Sequence, residues 1–509
     1  MTAHTADAPA VTRPNDSKRW IILALTLIAQ FMVTLDATIV TVALPSIQTD
    51  LGFATQLDLQ WVINAYVLFF GGFLLLGGRA GDLFGRQRLF LSGLALFTGA
   101  SLVNGLANDT SILVAGRGVQ GFGAALVSPA VLSIIIVTFP NTAERVKALG
   151  LFTAVTAGGS AAGMLFGGVL TDYASWRWIF LVNIPIGLVG IVGALRTIPN
   201  TRAAQGSLRH MDLPGAVSVT GGLTVLVYAI VNAQSWGWGS ARFIWLVAVA
   251  VALLTAFVVI ELRTSHPLIR LGIFTKRTIS VGNATMLTFS GGLFVMMFFP
   301  TLYLAANLGY SPIKIGLAFL PWPVAMAAAG TLGQKLIGRT GPRLLLVTGL
   351  LFVAAGLLTY LRLPVHGAYA TDVLPGLLLT AIGAGLVFTP VFIVATTGVA
   401  AEESGLASGV INTSQQLGAA LGLAVISTLA TSHTTHLLSG AGDRPTAAER
   451  SSALVEGFQR GFTVAAAILA VSVLIAAFGL RKRDFGQEPG AGNTDGAEEA
   501  RERVPSAAG

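Results

Sequence analysis

The sequence predicts an all-α integral membrane protein, and its composition and its pattern of apolar runs both support that prediction. The chain has 509 residues, of which 54% are hydrophobic and only 11% are charged, whereas soluble domains contain about 25% charged residues. Its mean hydropathy is +0.75. Apolar runs of about 20 residues, each long enough to cross a bilayer as a helix, recur along almost the whole chain.

Fourteen such runs are predicted to form membrane spans. They fall near residues 20–44, 60–80, 89–107, 111–138, 147–170, 178–196, 213–232, 242–262, 279–304, 313–336, 343–362, 373–396, 405–431 and 460–480. An even number of spans places both termini on one side, and Lys and Arg concentrate in the loops of that side. Because basic loops stay in the cytoplasm, we expect cytoplasmic termini and a location in the cell membrane.

A faint internal repeat divides the chain into two related halves. Glycines around the fifth span recur with the same spacing around the thirteenth, at Gly150, Gly159 and Gly163 and then at Gly409, Gly418 and Gly422. Parallel repeats of this kind are typical of transporters, whose substrate site lies between the halves. Small residues four apart also allow close helix packing, which we expect of Gly159, Gly163, Gly167, Gly418 and Gly422.

The predicted domain organisation follows from the spans and the repeat. It comprises a cytoplasmic tail (1–19), an amino-terminal six-helix bundle (20–196), two extra linking helices (197–265), a carboxy-terminal six-helix bundle (266–483) and a disordered cytoplasmic tail (484–509).

A carboxylate in the first span is the leading candidate for a functional group. Asp36 lies inside an apolar run, where a charged side chain is costly and often serves as a proton relay. Arg117 in the fourth span lies about 9 Å below the outer end of its helix, against about 12 Å for Asp36. We therefore expect the two charges to pair. The alternative is a static ion pair that only fixes helix packing.

The loop after the second span has a fixed spacing of glycine, acid and arginine. It reads Gly-Arg-Ala-Gly-Asp-Leu-Phe-Gly-Arg-Gln-Arg from residue 78 to residue 88. This loop resembles the signature of the major facilitator superfamily, which implies that Arg79, Asp82 and Arg86 hold the cytoplasmic side closed in one transport state. The alternative is a basic loop that only sets the topology. The motif residues are Gly78, Arg79, Asp82, Gly85, Arg86 and Arg88.

Three further segments strengthen the resemblance and narrow it to a subgroup. The fourth span contains Leu-Val-Ala-Gly-Arg-Gly-Val-Gln-Gly from Leu113, which is similar to the superfamily's fourth-helix motif. Leu-Asp-Ala-Thr-Ile-Val-Thr-Val-Ala-Leu-Pro from Leu35, and Trp-Arg-Trp-Ile-Phe-Leu-Val-Asn-Ile-Pro-Ile-Gly from Trp176, resemble segments of the drug:proton antiporters with fourteen spans. For the Trp176 segment, an interfacial aromatic anchor is the alternative interpretation.

The resemblance implies a major facilitator fold with two six-helix bundles and two extra central helices. It also implies proton coupling through Asp36 and Arg117. Two positions depart from the subgroup pattern: Thr41 stands where Asn is usual, and Met164 replaces the proline of the fifth-span antiporter motif. Because that proline is associated with exporters, its loss bears on coupling and on transport direction.

A substrate cavity is expected between the halves. Its candidate polar residues are Gln30, Thr34, Gln120, Asn412, Gln415 and Gln416, and its candidate apolar residues are Phe294, Met297 and Trp322. Gln120 shares a helix face with Arg117, whereas Gln30 and Thr34 lie on a different face of the first span from Asp36.

We therefore expect a secondary active transporter that exports small hydrophobic or cationic drugs or antibiotics in exchange for protons. A dedicated exporter of one metabolite, such as a self-made antibiotic, a siderophore or an amino acid, is the alternative, and a non-transporting membrane sensor is a third possibility. The expected partners are the substrate, protons and the lipid bilayer, with no nucleic acid, and the expected state is a monomer.

Enzymatic chemistry and resident cofactors are not expected. The sequence offers no nucleophile–base pair at membrane depth and no Gly-Lys-Ser/Thr phosphate loop. Without cysteines it offers no thiolate metal site. His433 and His436 lie three residues apart in a predicted outside loop without an obvious third metal ligand, so no metal site is predicted.

Overall fold

The computed structural model describes residues 16–139, 141–199, 212–265, 267–269, 271–397, 404–440 and 446–481. Within these ranges all the regular structure is helical, which confirms the predicted all-α class. The expected disordered tail 484–509 lies outside the described residues. The first helix begins at Asp16, inside the stretch expected to be a tail.

The helices of the first half run in chain order with short connections. They are α1 (Asp16–Leu51), α2 (Gln56–Leu59), α3 (Trp61–Phe84), α4 (Arg86–Gly105), α5 (Thr110–Thr138), α6 (Thr142–Tyr173), α7 (Trp178–Leu181) and α8 (Asn183–Thr197). Two helices follow, α9 (Leu213–Trp236) and α10 (Ala241–Arg263).

The second half contains six more α-helices. They are α11 (Arg277–Ala306), α12 (Pro312–Phe319), α13 (Pro321–Thr359), α14 (Leu374–Thr396), α15 (Ser404–Gly440) and α16 (Ala447–Gly479). Because α15 continues to Gly440, His433 and His436 lie on a helix, and the prediction that they lie in a loop is wrong.

Local sequence signals explain several of the helix ends. Asp109 begins α5 by accepting a hydrogen bond from the Ser111 backbone N–H at 2.7 Å, and this contact holds the pKa of the Asp109 carboxyl below its usual value. Thr446 and Glu449 form a reciprocal capping box at the start of α16. Gly85 separates α3 from α4 with a φ of 95°, a conformation that glycine adopts without steric cost.

Within the described ranges, twelve helical stretches are long and apolar enough to cross a membrane. One of them, Pro312–Arg362, has 51 residues, about twice what a bilayer requires. It changes direction at Gly341, where φ is 76° and ψ is 160°. The 20-residue α4 is not among the twelve and has Arg86 and Arg88 in its first turn. The fourteen-span count is not confirmed and stays a prediction.

Each half forms its own helical bundle, and the two bundles meet along two seams. In the first half α1 packs on α6 and α5 packs on α3 and α4, while in the second half α11 packs on α15 and α16, and α13 packs on α14. The seams between the bundles are formed by α3 with α15 and by α6 with α12. Helix α9 lies against α10, and it also contacts both α3 and α15.

Four of the six glycines of the repeat, Gly159, Gly163, Gly418 and Gly422, lie where helices approach closely, whereas a Cβ atom added at Gly150 would have no atom within 4 Å. A Cβ atom added at Gly163 of α6 would lie 2.6 Å from the Leu35 carbonyl oxygen of α1. One added at Gly418 of α15 would lie 2.8 Å from the Leu287 carbonyl carbon of α11. The α1–α6 pair of the first half and the α11–α15 pair of the second therefore pack backbone to backbone in a similar way.

Candidate functional site

Asp36 lies fully buried at the meeting point of helices from the first half. Its Oδ2 atom lies 2.6 Å from Nη1 of Arg117 on α5. Its Oδ1 atom accepts hydrogen bonds from Nε2 of Gln120 at 2.7 Å and from Nδ2 of Asn183 at 2.9 Å. Asp36, Gln120 and Asn183 have no exposed surface, and Arg117 is 1% exposed. The carboxylate is thus sealed from solvent and satisfied by three donors.

The guanidinium of Arg117 has further partners besides the carboxylate. Its Nε atom donates to the Val62 carbonyl oxygen of α3 at 2.9 Å, and Nη1 also donates to Oε1 of Gln120 at 2.8 Å. Its central carbon lies 4.3 Å from the centroid of the Tyr66 ring, within the range of a cation–π interaction. The positive charge therefore keeps favourable contacts that do not depend on Asp36.

Gln120 links the ion pair to α4. Its Nε2 atom donates to the hydroxyl oxygen of Ser101 at 2.8 Å, and its Oε1 atom accepts from Nδ2 of Asn104 at 2.8 Å. Ser101 and Asn104 are fully buried and lie one helical turn apart on the same side of α4. The result is a polar network shared by α1, α3, α4, α5 and α8.

The predicted charge pair is thus in contact, whereas most of the residues around it were not predicted from the sequence. Asn183 lies in the Trp176 segment, which was considered only as a family marker or an aromatic anchor. Ser101, Asn104 and Tyr66 were not considered. One signal was available, because uncharged polar residues spaced one turn apart in an apolar run often share a buried face.

The cavity candidates do not form one cluster with Asp36, apart from Gln120. Gln30 donates to the Thr34 hydroxyl at 3.3 Å, and a Cβ atom at Gly159 would lie 3.2 Å from Thr34 Cβ. Both therefore lie on the α6 side of α1. Gln416 packs against Gly71 of α3, where an added Cβ atom would lie 2.6 Å from the Gln416 Cβ.

The remaining cavity candidates lie on α11, α13 and α15. Phe294 and Met297 of α11 are half-buried, as are Asn412 and Gln415 of α15. Trp322 is buried near the start of α13, and its indole N–H has no hydrogen-bond partner within the described residues.

The loop motif occupies the connection between α3 and α4. Gly85 has the positive φ that the tight turn requires, Gly78 and Arg88 are exposed, and Arg86 is half-buried. The side chains of Arg79 and Asp82 lie outside the described part of the structure, so the proposed closing contact stays a prediction.

The two halves touch through polar and backbone contacts at the end of the bundle away from the start of α1 and the end of α16, here called the distal end. Ser427 of α15 donates to Oε1 of Gln60, at the start of α3. On the other seam, the backbone N–H of Ile313 donates to Oδ2 of Asp172 at 3.0 Å. A Cβ atom at Gly168 would lie 2.5 Å from Ile313 Cα. The distal end is therefore closed on both seams.

The opposite ends of α6 and α13 carry exposed residues. Gly150 and Leu151 of α6 are exposed, and so are Gln334, Lys335 and Arg339 of α13. On the other seam, α3 and α15 remain packed toward that end, where a Cβ atom added at Gly409 would lie 2.6 Å from Leu75 Cδ2 and where Leu76 and Val410 share a buried apolar cluster.

Comparisons with known proteins agree with this architecture. A model of the Major Facilitator Superfamily matches residues 26–423. The puromycin resistance protein pur8 of Streptomyces alboniger is 42% identical over 469 residues, covering 92% of this chain and 91% of that protein. The cephamycin export protein CmcT of Amycolatopsis lactamdurans is 38% identical over 454 residues, covering 89% and 91%.

A solved structure shares the fold. A bacterial homolog of the human lysosomal transporter Spinster, in an inward-facing and unoccupied conformation, has a TM-score of 0.63, covering 92% of this chain and 98% of that one at 17% identity. Together with the family match and the relatives, this similarity shows that the chain is a multi-pass membrane protein of the major facilitator superfamily, a family of transporters and not of enzymes.

Proposed function

We propose that this transporter exports small apolar or cationic antibiotics or drugs in exchange for protons, and that Asp36 is the group that binds the proton. The observation that carries the proposal is the sealed Asp36–Arg117 pair. Both charges lie at membrane depth with no exposed surface on Asp36, and intramembrane charges are costly and usually functional.

The hydrogen bonds around Asp36 support a role in coupling. All three bonds to the carboxylate come from donors, so in this arrangement they suit the ionised form. A bound proton would neutralise Asp36 and free Arg117 from its counter-ion, and the network would then have to rearrange. Protonation and helix arrangement are therefore linked, as an antiporter requires of its two states.

The contacts that close the distal end support alternating access. With the distal end facing outward, as the basic loops favour, the closed contacts at Asp172 and Gln60 correspond to an inward-facing state. Substrate would then enter from the cytoplasm between α6 and α13. Opening of the distal end would release it outside after the halves rock about the seams.

The choice of drugs or antibiotics as substrates comes from the relatives, since two of them are named for puromycin resistance and cephamycin export. The half-buried Phe294 and Met297 fit an apolar, adaptable contact surface. Fourteen spans, cytoplasmic termini, a location in the cell membrane and a monomeric state are part of the same proposal. The latch role of Arg79, Asp82 and Arg86 is also part of it.

A dedicated exporter of one metabolite fits the same fold and the same ion pair. The names of these two relatives fit the second candidate equally well, because puromycin and cephamycin are each one compound. The two candidates differ in breadth of substrate, which a panel of unrelated dyes and antibiotics would measure.

The test is dye efflux from cells, with and without a proton uncoupler, for the wild type and for Asp36→Asn at matched expression. We expect uncoupler-sensitive efflux that the substitution abolishes. Asp109→Asn is the control, because Asn is also a good helix N-cap and residue 109 is exposed. Efflux that persists in folded Asp36→Asn would locate the proton site elsewhere, and efflux insensitive to the uncoupler would rule out proton exchange.

A further inference from the structure

Asn183 is the one residue on the Asp36 carboxylate whose own acceptor atom is free. Its Nδ2 atom donates to Asp36 Oδ1 at 2.9 Å and, at a longer 3.4 Å, to the Ser101 hydroxyl oxygen. Its Oδ1 atom is buried and has no hydrogen-bond partner within the described residues. A buried polar atom without a partner is costly, so this atom calls for a physical explanation.

A protonated Asp36 would need an acceptor for its new O–H group. Arg117 has only donors. The Oε1 atom of Gln120 already accepts from Arg117 and from Asn104, each at 2.8 Å. Ser101 donates its hydroxyl hydrogen to the Phe97 carbonyl oxygen at 2.9 Å. Tyr66 faces the guanidinium with its ring, and its buried hydroxyl oxygen also has no hydrogen-bond partner within the described residues, but it is not hydrogen-bonded to Asp36. Among the three residues that hydrogen-bond the Asp36 carboxylate, Asn183 is thus the one with an uncommitted acceptor.

A half-turn of the Asn183 amide about its Cβ–Cγ bond would exchange its two polar atoms. Oδ1 would then face Asp36 and accept a hydrogen bond from the protonated carboxyl group. The turn breaks only the bond to Asp36 and the long contact to Ser101. One amide atom lacks a partner before the turn and one lacks a partner after it, so neither arrangement gains an extra unsatisfied group.

We propose that Asn183 is a positioning residue that hydrogen-bonds Asp36 in both of its protonation states, as a donor to the carboxylate and as an acceptor from the carboxyl group. This inference rests on the proposed proton-binding role of Asp36. Asn183 is the first residue of α8 and follows the short helix α7.

Infrared difference spectroscopy of the purified full-length protein, between ionised and protonated states, tests this inference without requiring transport. The C=O stretch of protonated Asp36 is identified as the band that Asp36→Asn removes. Asn183→Leu keeps the branched shape of the side chain, though at a larger volume, and deletes both polar atoms, so we expect the band to move to higher wavenumber as the carboxyl group loses a hydrogen bond. Asn183→Ala provides a second variant with the same expected shift.

Asn104→Leu is the matched control. Asn104 is also a fully buried amide with an unpartnered Oδ1 atom, but it contacts Gln120 and not Asp36. The band should stay in place in this variant. A band that is unmoved in both Asn183 variants, or that moves equally in Asn104→Leu, would overturn the inference while leaving proton binding intact. Absence of any Asp36 band in the wild type would overturn both proposals.

Discussion

Replacing Asp172 by alanine removes a side chain through which one half of the molecule caps a helix of the other. Asp172 lies near the end of α6, and its Oδ2 atom accepts a hydrogen bond from the backbone N–H of Ile313 at 3.0 Å. Ile313 is the second residue of α12, and the side chain of the N-cap residue Ser311 makes no capping bond there. This donor therefore depends on an acceptor that the opposite half supplies.

The expected magnitude follows from the value of a helix N-cap. Loss of such a cap costs about 1 kcal/mol, and the exposed position of Asp172 argues against a larger value. Because the bond exists only while the halves meet at the distal end, its loss should favour the distally open state about fivefold, at about 1.4 kcal/mol per factor of ten. Asp172→Asn keeps an acceptor oxygen and should restore most of the closed population.

Spin-label distances across the distal end measure this population. Because the chain has no cysteine, spin labels would attach only at the two introduced cysteines, Thr49→Cys and His366→Cys. These two exposed positions lie at the distal end of the first and second halves. The control is Asp50→Ala, because Asp50 pairs with Arg177 at 2.6 Å inside the first half and so does not join the two.

The two alanine variants should differ in their spin-label distances. In Asp172→Ala the long-distance population should rise, while in Asp50→Ala it should match the wild type. Equal distance distributions for Asp172→Ala and the wild type would refute the idea that this cap helps to hold the distal end closed. A rise that Asp172→Asn fails to reverse would assign the effect to charge rather than to the hydrogen bond.

Three further predictions concern helix packing and a helix end. Gly168→Ala should open the distal end more strongly than Asp172→Ala in the same distance measurement, because the new Cβ atom would meet Ile313 Cα at 2.5 Å. Gly163→Ala should lower the free energy of unfolding by about 1–3 kcal/mol through overpacking against α1. The control Gly158→Ala should not lower it, because no atom lies within 4 Å of the new Cβ. Chemical denaturation in detergent measures the free energy of unfolding of both variants. Arg277→Ala removes donors to the Gly479 and Phe478 carbonyl oxygens at the end of α16 and should speed amide hydrogen exchange in its last turn.

Most of the helices could be predicted from the sequence, because a segment that crosses a bilayer must be apolar over about 20 residues. The boundaries were less predictable. The sequence predicted a break between the spans 313–336 and 343–362, and the chain turns there at Gly341. By contrast, α15 continues past its predicted span to Gly440. Hydropathy indicates which residues lie in the bilayer and not how far a helix continues beyond it, so the extension of α15 could not be predicted from the apolar run.

The sequence by itself identified Asp36 and Arg117, because a charge inside an apolar run is conspicuous wherever the chain folds. Only the tertiary structure decided what surrounds them. Asn183 lies 147 residues from Asp36 in the chain, and an uncharged amide costs too little at a helix end to stand out in composition. Which amides meet a buried carboxylate depends on how helices pack, and that packing is set by contacts between residues distant in sequence.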